Sequence, residues 1–187
     1  MIERIKNNNK AIMFIFLLIA ILLIIMLIYN DYKQVKLIKS FENNTIRTEY
    51  FNKYETEFEF IKNLIIKDRI TYIGSKNLSC NRNKYQIKQN LYICSNNEIE
   101  NIESLKNDIY QYYNKLRALE IRTDEFDEES NILFLIFSHS GYAVMYGFCI
   151  SDKCSSEDET IKRDNYLSFK NEINEYWWSR YISDGER

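Results

Sequence analysis

Proline is absent from this chain of 187 residues, glycine occurs four times and histidine once. Without proline there can be no cis-prolyl turn and no polyproline spacer between segments. The four glycines lie apart from one another, so the chain has no glycine-rich loop of the kind that cradles phosphate groups. A single histidine excludes the H-E-x-x-H motif and every metal site with several histidine ligands. We therefore expect no cofactor and no metal site.

A basic surface is also lacking. The formal net charge is −2, and residues 30–187 carry four more acidic than basic residues. Nucleic-acid binding depends on Lys and Arg side chains that neutralise phosphates, and the sequence has no basic stripe interleaved with aromatic residues. The composition therefore argues against nucleic acid as a partner.

The sequence contains no recognisable catalytic motif. His139 has a serine on each side, Ser138 and Ser140, but neighbouring residues in a strand point to opposite faces, so adjacency does not make a catalytic pair. A triad also needs a carboxylate and an oxyanion hole, and no G-x-S-x-G surrounds any serine. We expect His139 to lie at an exposed turn and the protein not to be an enzyme.

Residues 11–29, AIMFIFLLIAILLIIMLIY, include no charged or strongly polar side chain. A helix of about 20 such residues crosses the ~30 Å hydrocarbon core of a membrane. The run is longer than the apolar region of a cleaved signal peptide, and no small-x-small cleavage site follows it. This segment therefore predicts an uncleaved signal anchor that spans the membrane once.

The basic residues around this anchor are nearly balanced. Three of them and the terminal amine precede it, and four follow within about 20 residues, which the positive-inside rule reads as close to a tie. They are Arg4, Lys6 and Lys10 before the anchor, and Lys33, Lys36, Lys39 and Arg47 after it. A short tail ahead of an anchor usually stays in the cytoplasm, and cysteines suit an oxidising compartment. We expect a cytoplasmic N-terminus and an extracytoplasmic domain.

Apolar spacing predicts a helix from residue 31 to about residue 67, with a break at Asn43-Asn44-Thr45 where a side chain could cap a new start. Its apolar face is formed by Phe51, Tyr54, Phe58, Ile61 and Ile65. Core burial of this face is favoured over a coiled-coil seam, which would need three or four heptads. The domain organisation expected is a tail at 1–10, the anchor at 11–29, a helical stalk at 30–50 and a soluble domain at 51–187.

The soluble domain alternates between strand and helix patterns. Segments rich in β-branched and aromatic residues, either alternating with polar residues or forming a continuous apolar run, predict strands. They are 69–75, 84–95, 119–123, 131–138 and 142–151, the second with a turn or irregularity at Gln89-Asn90. A helix is expected from about residue 96 to 119, and another from about 165 to Tyr176. The stretch EYWWSRYI at the end of the second helix could equally be an edge strand. The fold class predicted is α+β, an antiparallel sheet of about four to five strands packed with helices.

The strand predicted at 142–151 has two unlike faces. Large side chains occupy one face, whereas Ala143, Met145, Gly147 and Cys149 occupy the other. Small residues on a strand allow a neighbour to approach closely, so we expect a helix or another chain to lie against this face.

The four cysteines are Cys80, Cys94, Cys149 and Cys154. An even number behind a signal anchor favours disulfides, and local pairing would give Cys80–Cys94 and Cys149–Cys154. A four-thiolate zinc site is disfavoured because Cys80 and Cys94 are too far apart for a zinc knuckle, and free thiols would imply a cytoplasmic domain.

Two segments are candidates for a partner-binding surface. Two adjacent tryptophans cannot both face one core in a regular element, so we expect one of them at a partner surface or at the membrane interface, unless an irregular backbone buries both. An acidic turn between two predicted strands could contact a basic partner. The candidate residues are Trp177, Trp178 and Tyr181 at the C-terminus, and Asp124, Glu125, Asp127, Glu128 and Glu129 in the acidic turn.

The function expected from these features is a membrane-anchored, non-enzymatic extracytoplasmic module that binds a protein partner. An inhibitor or immunity-type protein, or a subunit of an envelope complex, fits that description. Two alternatives stay open: an envelope hydrolase whose carboxylates are dispersed in sequence, and a structural subunit that self-associates through residues 11–65.

Overall fold

A computed structural model describes the backbone of residues 2–75, 80, 83–123, 131–139, 142–150, 159–163 and 166–184. Side chains are described within these ranges from residue 13 onward, except those of 159–170 and 184. The chain forms two compact units, Met1–Leu37 and Ile38–Arg187.

The first helix, α1 (Ile2–Ser40), carries the apolar run. The most apolar 18-residue stretch of its segment Met13–Ser40 has a mean hydropathy of 2.9 and is not buried, so the helix is long and apolar enough to cross a membrane. An unburied apolar helix near the N-terminus is typical of a single-pass anchor or a signal sequence.

The second unit begins within the segment that we expected to be a stalk. Ile38, Phe41 and Arg47 are 2%, 3% and 1% exposed, respectively, so they belong to the core of this unit. The expected break at Asn43 is confirmed, because its side-chain oxygen accepts a hydrogen bond from the Thr45 amide and caps the next helix.

Three helices follow α1: α2 (Asn44–Lys53), α3 (Glu55–Asp68) and α4 (Ile102–Lys115). Helix α3 ends at Arg69, which has a left-handed backbone at φ 48°. Helix α4 begins later than predicted because Asn101 is left-handed at φ 57°, and it ends before Arg117, left-handed at φ 50°. Left-handed residues at both ends therefore make α4 shorter than the 96–119 expected from sequence.

The described residues form nine strands, three before α4 and six after it. They are β1 (Ile70–Gly74), β2 (Asn83–Lys88), β3 (Leu91–Ser95), β4 (Glu120–Thr123), β5 (Asn131–His139), β6 (Tyr142–Cys149), β7 (Glu159–Arg163), β8 (Tyr166–Glu172) and β9 (Trp177–Asp184). In the described part of the chain they form one antiparallel sheet in the order β2-β3-β1-β4-β5-β6-β9-β8-β7. The α+β class is confirmed, and the sheet is larger than expected.

Two differences account for the larger sheet. The segment 84–95 forms two strands, because the chain reverses at Gln89-Asn90 and Asn90 adopts φ 64°. The helix predicted before Tyr176 is wrong: residues 166–172 pair with β9, and β9 in turn pairs with β6. Aromatic spacing in this stretch fits both helix and strand, and pairing with β6 decides between them.

The core lies between the sheet and the helices. Phe51, Phe58, Ile61 and Ile65 are all at most 2% exposed, which confirms burial of this face rather than a coiled-coil seam. Phe58 lies edge-on to Phe134 of β5 at a ring-centroid distance of 5.1 Å. Aromatic pairs of this geometry add stabilisation beyond the area that they bury.

Candidate functional site

The turn between β8 and β9 is organised by one asparagine. The side-chain oxygen of Asn174 accepts hydrogen bonds from the amides of Tyr176 and Trp177 at 3.0 and 2.9 Å. The amides of Ile173 and Asn174 both donate to the Trp177 carbonyl, at 2.8 and 3.1 Å. Asparagine favours such turns because its side chain replaces a backbone acceptor. The turn therefore has a fixed shape, with Asn174, Glu175 and Tyr176 exposed.

A cleft lies between this turn, the end of β6 and the middle of α3. Its volume is about 440 Å³, and its lining combines aromatic rings with carboxylate, amide and ammonium groups. The lining residues are Glu59, Lys62, Phe148, Asn174, Glu175, Tyr176 and Trp177. This size and mixture are typical of sites that bind small molecules or single side chains of a partner.

Glu59 joins the helix layer to the sheet at the floor of the cleft. Its Oε1 accepts a hydrogen bond from the indole Nε1 of Trp177 at 2.9 Å, and its Oε2 is paired with the Lys62 ammonium. The Trp177 ring also lies against the Phe58 and Phe148 rings, at centroid distances of 5.5 and 5.2 Å. Because Trp177 is 2% exposed, its indole N–H needs a partner, and Glu59 supplies it.

The wall of the cleft consists of aromatic rings with a cation beside them. The Lys62 Nζ lies 4.7 Å from the centroid of the Phe148 ring. Phe148 stacks on Tyr176 with centroids 6.2 Å apart and planes inclined by 28°. The Tyr176 side chain is 41% exposed, so one aromatic surface of the cleft is open to solvent.

A buried arginine fixes the strands beneath the turn. Arg47 is 1% exposed and donates to the carbonyls of Phe41 and Glu42, to Ser179 Oγ at 3.1 Å and to the Asn171 side-chain oxygen. Ser179 lies on β9 and Asn171 on β8. Arg47 therefore ties the chain between α1 and α2 to both strands that carry the turn. A buried guanidinium needs such a set of acceptors to offset the loss of water.

Buried tyrosines extend this cluster. The Tyr146 hydroxyl donates to the Arg47 carbonyl at 2.9 Å, and the Tyr50 hydroxyl donates to the Leu116 carbonyl at 2.8 Å. Burial raises the pKa of both phenols well above the usual value, and burial also raises the pKa of Tyr181 to about 12. All three phenols are therefore neutral at physiological pH, and the hydroxyls of Tyr146 and Tyr50 act as hydrogen-bond donors.

The three C-terminal residues predicted to meet a partner are buried. Trp177, Trp178 and Tyr181 are 2%, 8% and 1% exposed, so the expectation of one exposed tryptophan is wrong. The two indoles lie on opposite faces of β9. Trp177 faces the helix layer, whereas Trp178 lies over Gly147 on the other face. The exposed aromatic residue near this end of the chain is Tyr176.

The small-residue face of β6 has a close neighbour, as the sequence predicts, but that neighbour is a side chain of the adjacent strand. Gly147 pairs with Trp178 in the β6–β9 register. A Cβ atom at Gly147 would lie 2.1 Å from two carbons of the Trp178 ring. Gly147 therefore makes room for the indole, which explains how both tryptophans can be buried.

The acidic turn, with Asp124, Glu125, Asp127, Glu128 and Glu129, lies outside the described residues, so its role in partner binding stays a prediction. His139 is the last residue of β5 and pairs with Tyr142 across the β5–β6 hairpin. Ser140 also lies outside the described residues. His139 does not line the cleft described above.

A disulfide joins Cys80 to Cys94 with their Cα atoms 5.4 Å apart. It confirms the first predicted pairing and links the segment between β1 and β2 to β3. Cys149 is also disulfide-bonded. Cys154 lies outside the described residues, so the pairing of Cys149 with Cys154 stays a prediction.

Sequence reasoning missed six of the residues that line the cleft and also Arg47 beneath it; the six are Glu59, Lys62, Phe148, Asn174, Glu175 and Tyr176. Among the described residues, no group of three or more His, Cys, Asp or Glu side chains is placed to hold a metal ion. The Glu59–Lys62 spacing is typical of an exposed helical ion pair, so the sequence offers no signal that it faces a cleft. One residue did give a usable signal: Asn174, between two aromatic segments, is typical of a turn.

Comparison of the chain with protein-family models, with curated proteins and with solved structures finds no match.

Proposed function

We propose that this chain is a membrane-anchored, non-enzymatic binding module that holds part of a protein partner in the cleft beside the β8–β9 turn. The observation that supports this proposal best is the exposed ring of Tyr176 on a rigid wall. Its backbone is fixed by Asn174, and its ring stacks on Phe148. Aromatic side chains held rigidly at a surface are favoured contact residues because little entropy is lost on binding.

The state of the carboxylate in the cleft supports binding rather than hydrolysis. A catalytic acid or base needs an oxygen that can exchange a proton with its substrate. Oε1 of Glu59 accepts the Trp177 indole N–H and Oε2 is paired with the Lys62 ammonium, a pairing in which one cation can replace another but which offers no unpaired oxygen for proton transfer. Burial raises the pKa of Asp68, and its Oδ2 is buried without a hydrogen bond, but Asp68 lies at the far end of α3 and does not line the cleft. The hydrolase alternative therefore has less support.

Self-association through residues 11–65 also has less support. The apolar residues of α2 and α3 that a coiled-coil seam would use, such as Phe51 and Phe58, are covered by the sheet of the same chain. A surface used in this way is not available to a second copy.

We place the domain outside the cytoplasm. The Cys80–Cys94 disulfide suits an oxidising compartment. Arg47 is buried in the core and its guanidinium is bonded there, so it does not count as a free charge next to the membrane. With Arg47 left out, three basic residues stand on each side of the anchor, so the charge count is even and the orientation proposal rests on the disulfide. An inhibitor or immunity-type protein, or a subunit of an envelope complex, fits this arrangement.

The proposal is tested by recovery of a partner with the full chain. The tagged protein is expressed in the cells that naturally make it, extracted in mild detergent after brief crosslinking, and purified. We expect a stoichiometric partner with the unaltered chain and loss of most of that partner with Tyr176→Ala.

The matched control is Tyr110→Ala, which removes a half-buried tyrosine from α4. It should keep the partner. Equal recovery with both variants, or no specific partner with the unaltered chain, would count against the proposal. Hydrolysis of envelope substrates that is lost with Glu59→Gln would favour the hydrolase instead.

A further inference from the structure

The cleft already holds a cation of its own. The Lys62 ammonium is paired with the Glu59 carboxylate and lies 4.7 Å from the Phe148 ring centroid. The Lys62 side chain is 14% exposed, less than the 36% of its Glu59 partner. A carboxylate beside an aromatic face is the arrangement by which proteins hold organic cations. The chemistry of the cleft is therefore that of a cation site.

The charge of the lining favours a cationic ligand. Glu59 and Glu175 contribute two carboxylates to the cleft, and Lys62 contributes the single ammonium among the described lining residues. Residues 30–187 as a whole carry an acidic excess. An anionic ligand would meet repulsion from both sources, whereas a basic ligand is attracted at long range and at contact.

The open aromatic surface favours a flat cation in particular. The Tyr176 ring is 41% exposed and continues the stack begun by Phe148. A guanidinium is planar, stacks on aromatic rings and can donate two hydrogen bonds to one carboxylate, whereas an ammonium is a compact and strongly hydrated charge. A volume of about 440 Å³ accommodates one such side chain with its adjoining backbone.

We propose that the cleft recognises an arginine side chain on the partner, which stacks on Tyr176 and bonds the Glu59 carboxylate in competition with Lys62. This inference rests on the proposed function and names the chemistry of the residue that is bound. Lys62 neutralises Glu59 in the unbound protein, so the carboxylate is not left uncompensated before the partner arrives. Once displaced from Glu59, the Lys62 ammonium can be hydrated at the end of its flexible stem.

The test uses N-acetyl-arginine methylamide as the probe and the full chain in detergent micelles. The indole N–H of Trp177 donates to Glu59, so its ¹⁵N–¹H signal reports on that carboxylate. The chain has two tryptophans, and the Trp178→Phe variant identifies which signal belongs to Trp177. We expect a saturable shift with the arginine probe. N-acetyl-citrulline methylamide, which has the same shape without the charge, should produce none.

Three variants separate the contacts. Glu59→Gln keeps an acceptor for the indole but loses the charge, and should weaken binding about tenfold. Tyr176→Ala should weaken it roughly two- to five-fold, the loss of a partly exposed cation–aromatic contact. Lys62→Met removes the competing cation and should strengthen binding roughly two- to five-fold. Glu55→Gln, an exposed change on the same helix, is the matched control and should leave binding unchanged.

The proposal is overturned if the citrulline probe shifts the signal equally, if inorganic phosphate binds in place of arginine, or if no saturable shift occurs. It is also overturned if Lys62→Met abolishes binding, since Lys62 would then be part of the site rather than a competitor. A partner that depends on Tyr176 without any arginine response would refute this inference and leave the proposed function standing. An arginine response without any recoverable partner would support the guanidinium chemistry of the cleft and refute the protein partner.

Discussion

Arg47 holds in place the two strands, β8 and β9, whose turn lines the cleft. Its guanidinium donates to backbone carbonyls between α1 and α2 and to side chains of β8 and β9. These acceptors come from three separate places in the sequence: the adjacent residues Phe41 and Glu42, then Asn171, then Ser179. Removing the donor leaves buried oxygens without partners, which costs more than the bonds themselves contribute.

We expect Arg47→Met to lower the free energy of unfolding by about 2–4 kcal/mol. Urea unfolding of the full chain in micelles, followed by tryptophan fluorescence, measures the change. Lys53→Met, an exposed substitution on α2, is the control and should change stability by at most about 1 kcal/mol. Equal effects of the two substitutions would show that the Arg47 cluster is not a stabilising element.

Gly147 and Trp178 are in such close contact that a larger residue at position 147 should destabilise the protein. A Cβ at position 147 would overlap the indole at 2.1 Å, and the ring cannot move aside without leaving its buried site. Gly147→Ala should therefore destabilise the protein by about 1–3 kcal/mol. In the Trp178→Leu background the same substitution should cost much less. A double-mutant cycle by thermal unfolding measures this coupling, and additive effects would contradict the close approach.

Of the contacts made by Gly147 and Arg47, the sequence predicts only a part. The small-residue face of β6 predicted a close neighbour, expected to be a helix or another chain, whereas at Gly147 the neighbour is the Trp178 ring of the adjacent strand. The burial of Arg47 could not be predicted, because an arginine shortly after an anchor is usually a solvated charge. Its side-chain acceptors, Asn171 and Ser179, lie far along the chain, and no local pattern links them to it.

At the scale of elements, the β8–β9 hairpin carries the cleft and is also where sequence reasoning failed. The spacing of aromatic residues from Tyr166 to Tyr181 fits a helix and a strand equally well. Pairing of β9 with β6 settles the outcome, and such long-range pairing cannot be read from a single segment. By contrast, the β5–β6 hairpin was predicted correctly, because a continuous apolar strand and a turn signal define it locally.

The disulfide beside β3 is expected to stabilise the other end of the sheet. Cys80 and Cys94 are separated by 14 positions, and closing a loop of this length stabilises a protein by about 3 kcal/mol in the chain-entropy account. The double substitution Cys80→Ser/Cys94→Ser should lower the free energy of unfolding by roughly 2–3 kcal/mol. Urea unfolding of the oxidised proteins measures it. An unchanged midpoint would mean that the unfolded chain is already constrained in this region.

At the scale of the whole molecule, an apolar helix that could cross a membrane precedes a single α+β domain. The apolar run and the α+β class follow directly from composition and periodicity. The number of strands and the cleft do not, because both arise from contacts between segments far apart in sequence.

The side of the membrane on which the domain lies gives a further prediction. Asn52 is exposed on α2, and an Asn52→Cys variant offers a thiol on the domain surface. A membrane-impermeant maleimide should label this variant in intact cells. A Glu3→Cys variant, with its thiol before the anchor, should be labelled only after lysis. The opposite pattern would place the domain in the cytoplasm.

The most direct test of the account is a photo-crosslink from the cleft in living cells. The full chain carries benzoylphenylalanine at position 176 in one variant and at exposed position 52 in a matched control, and intact cells are irradiated. We predict one discrete adduct with a protein partner from position 176, reduced when Glu59→Gln is added, and none from position 52. No adduct from position 176, or the same adducts from both positions, would contradict the claim that the cleft binds a partner.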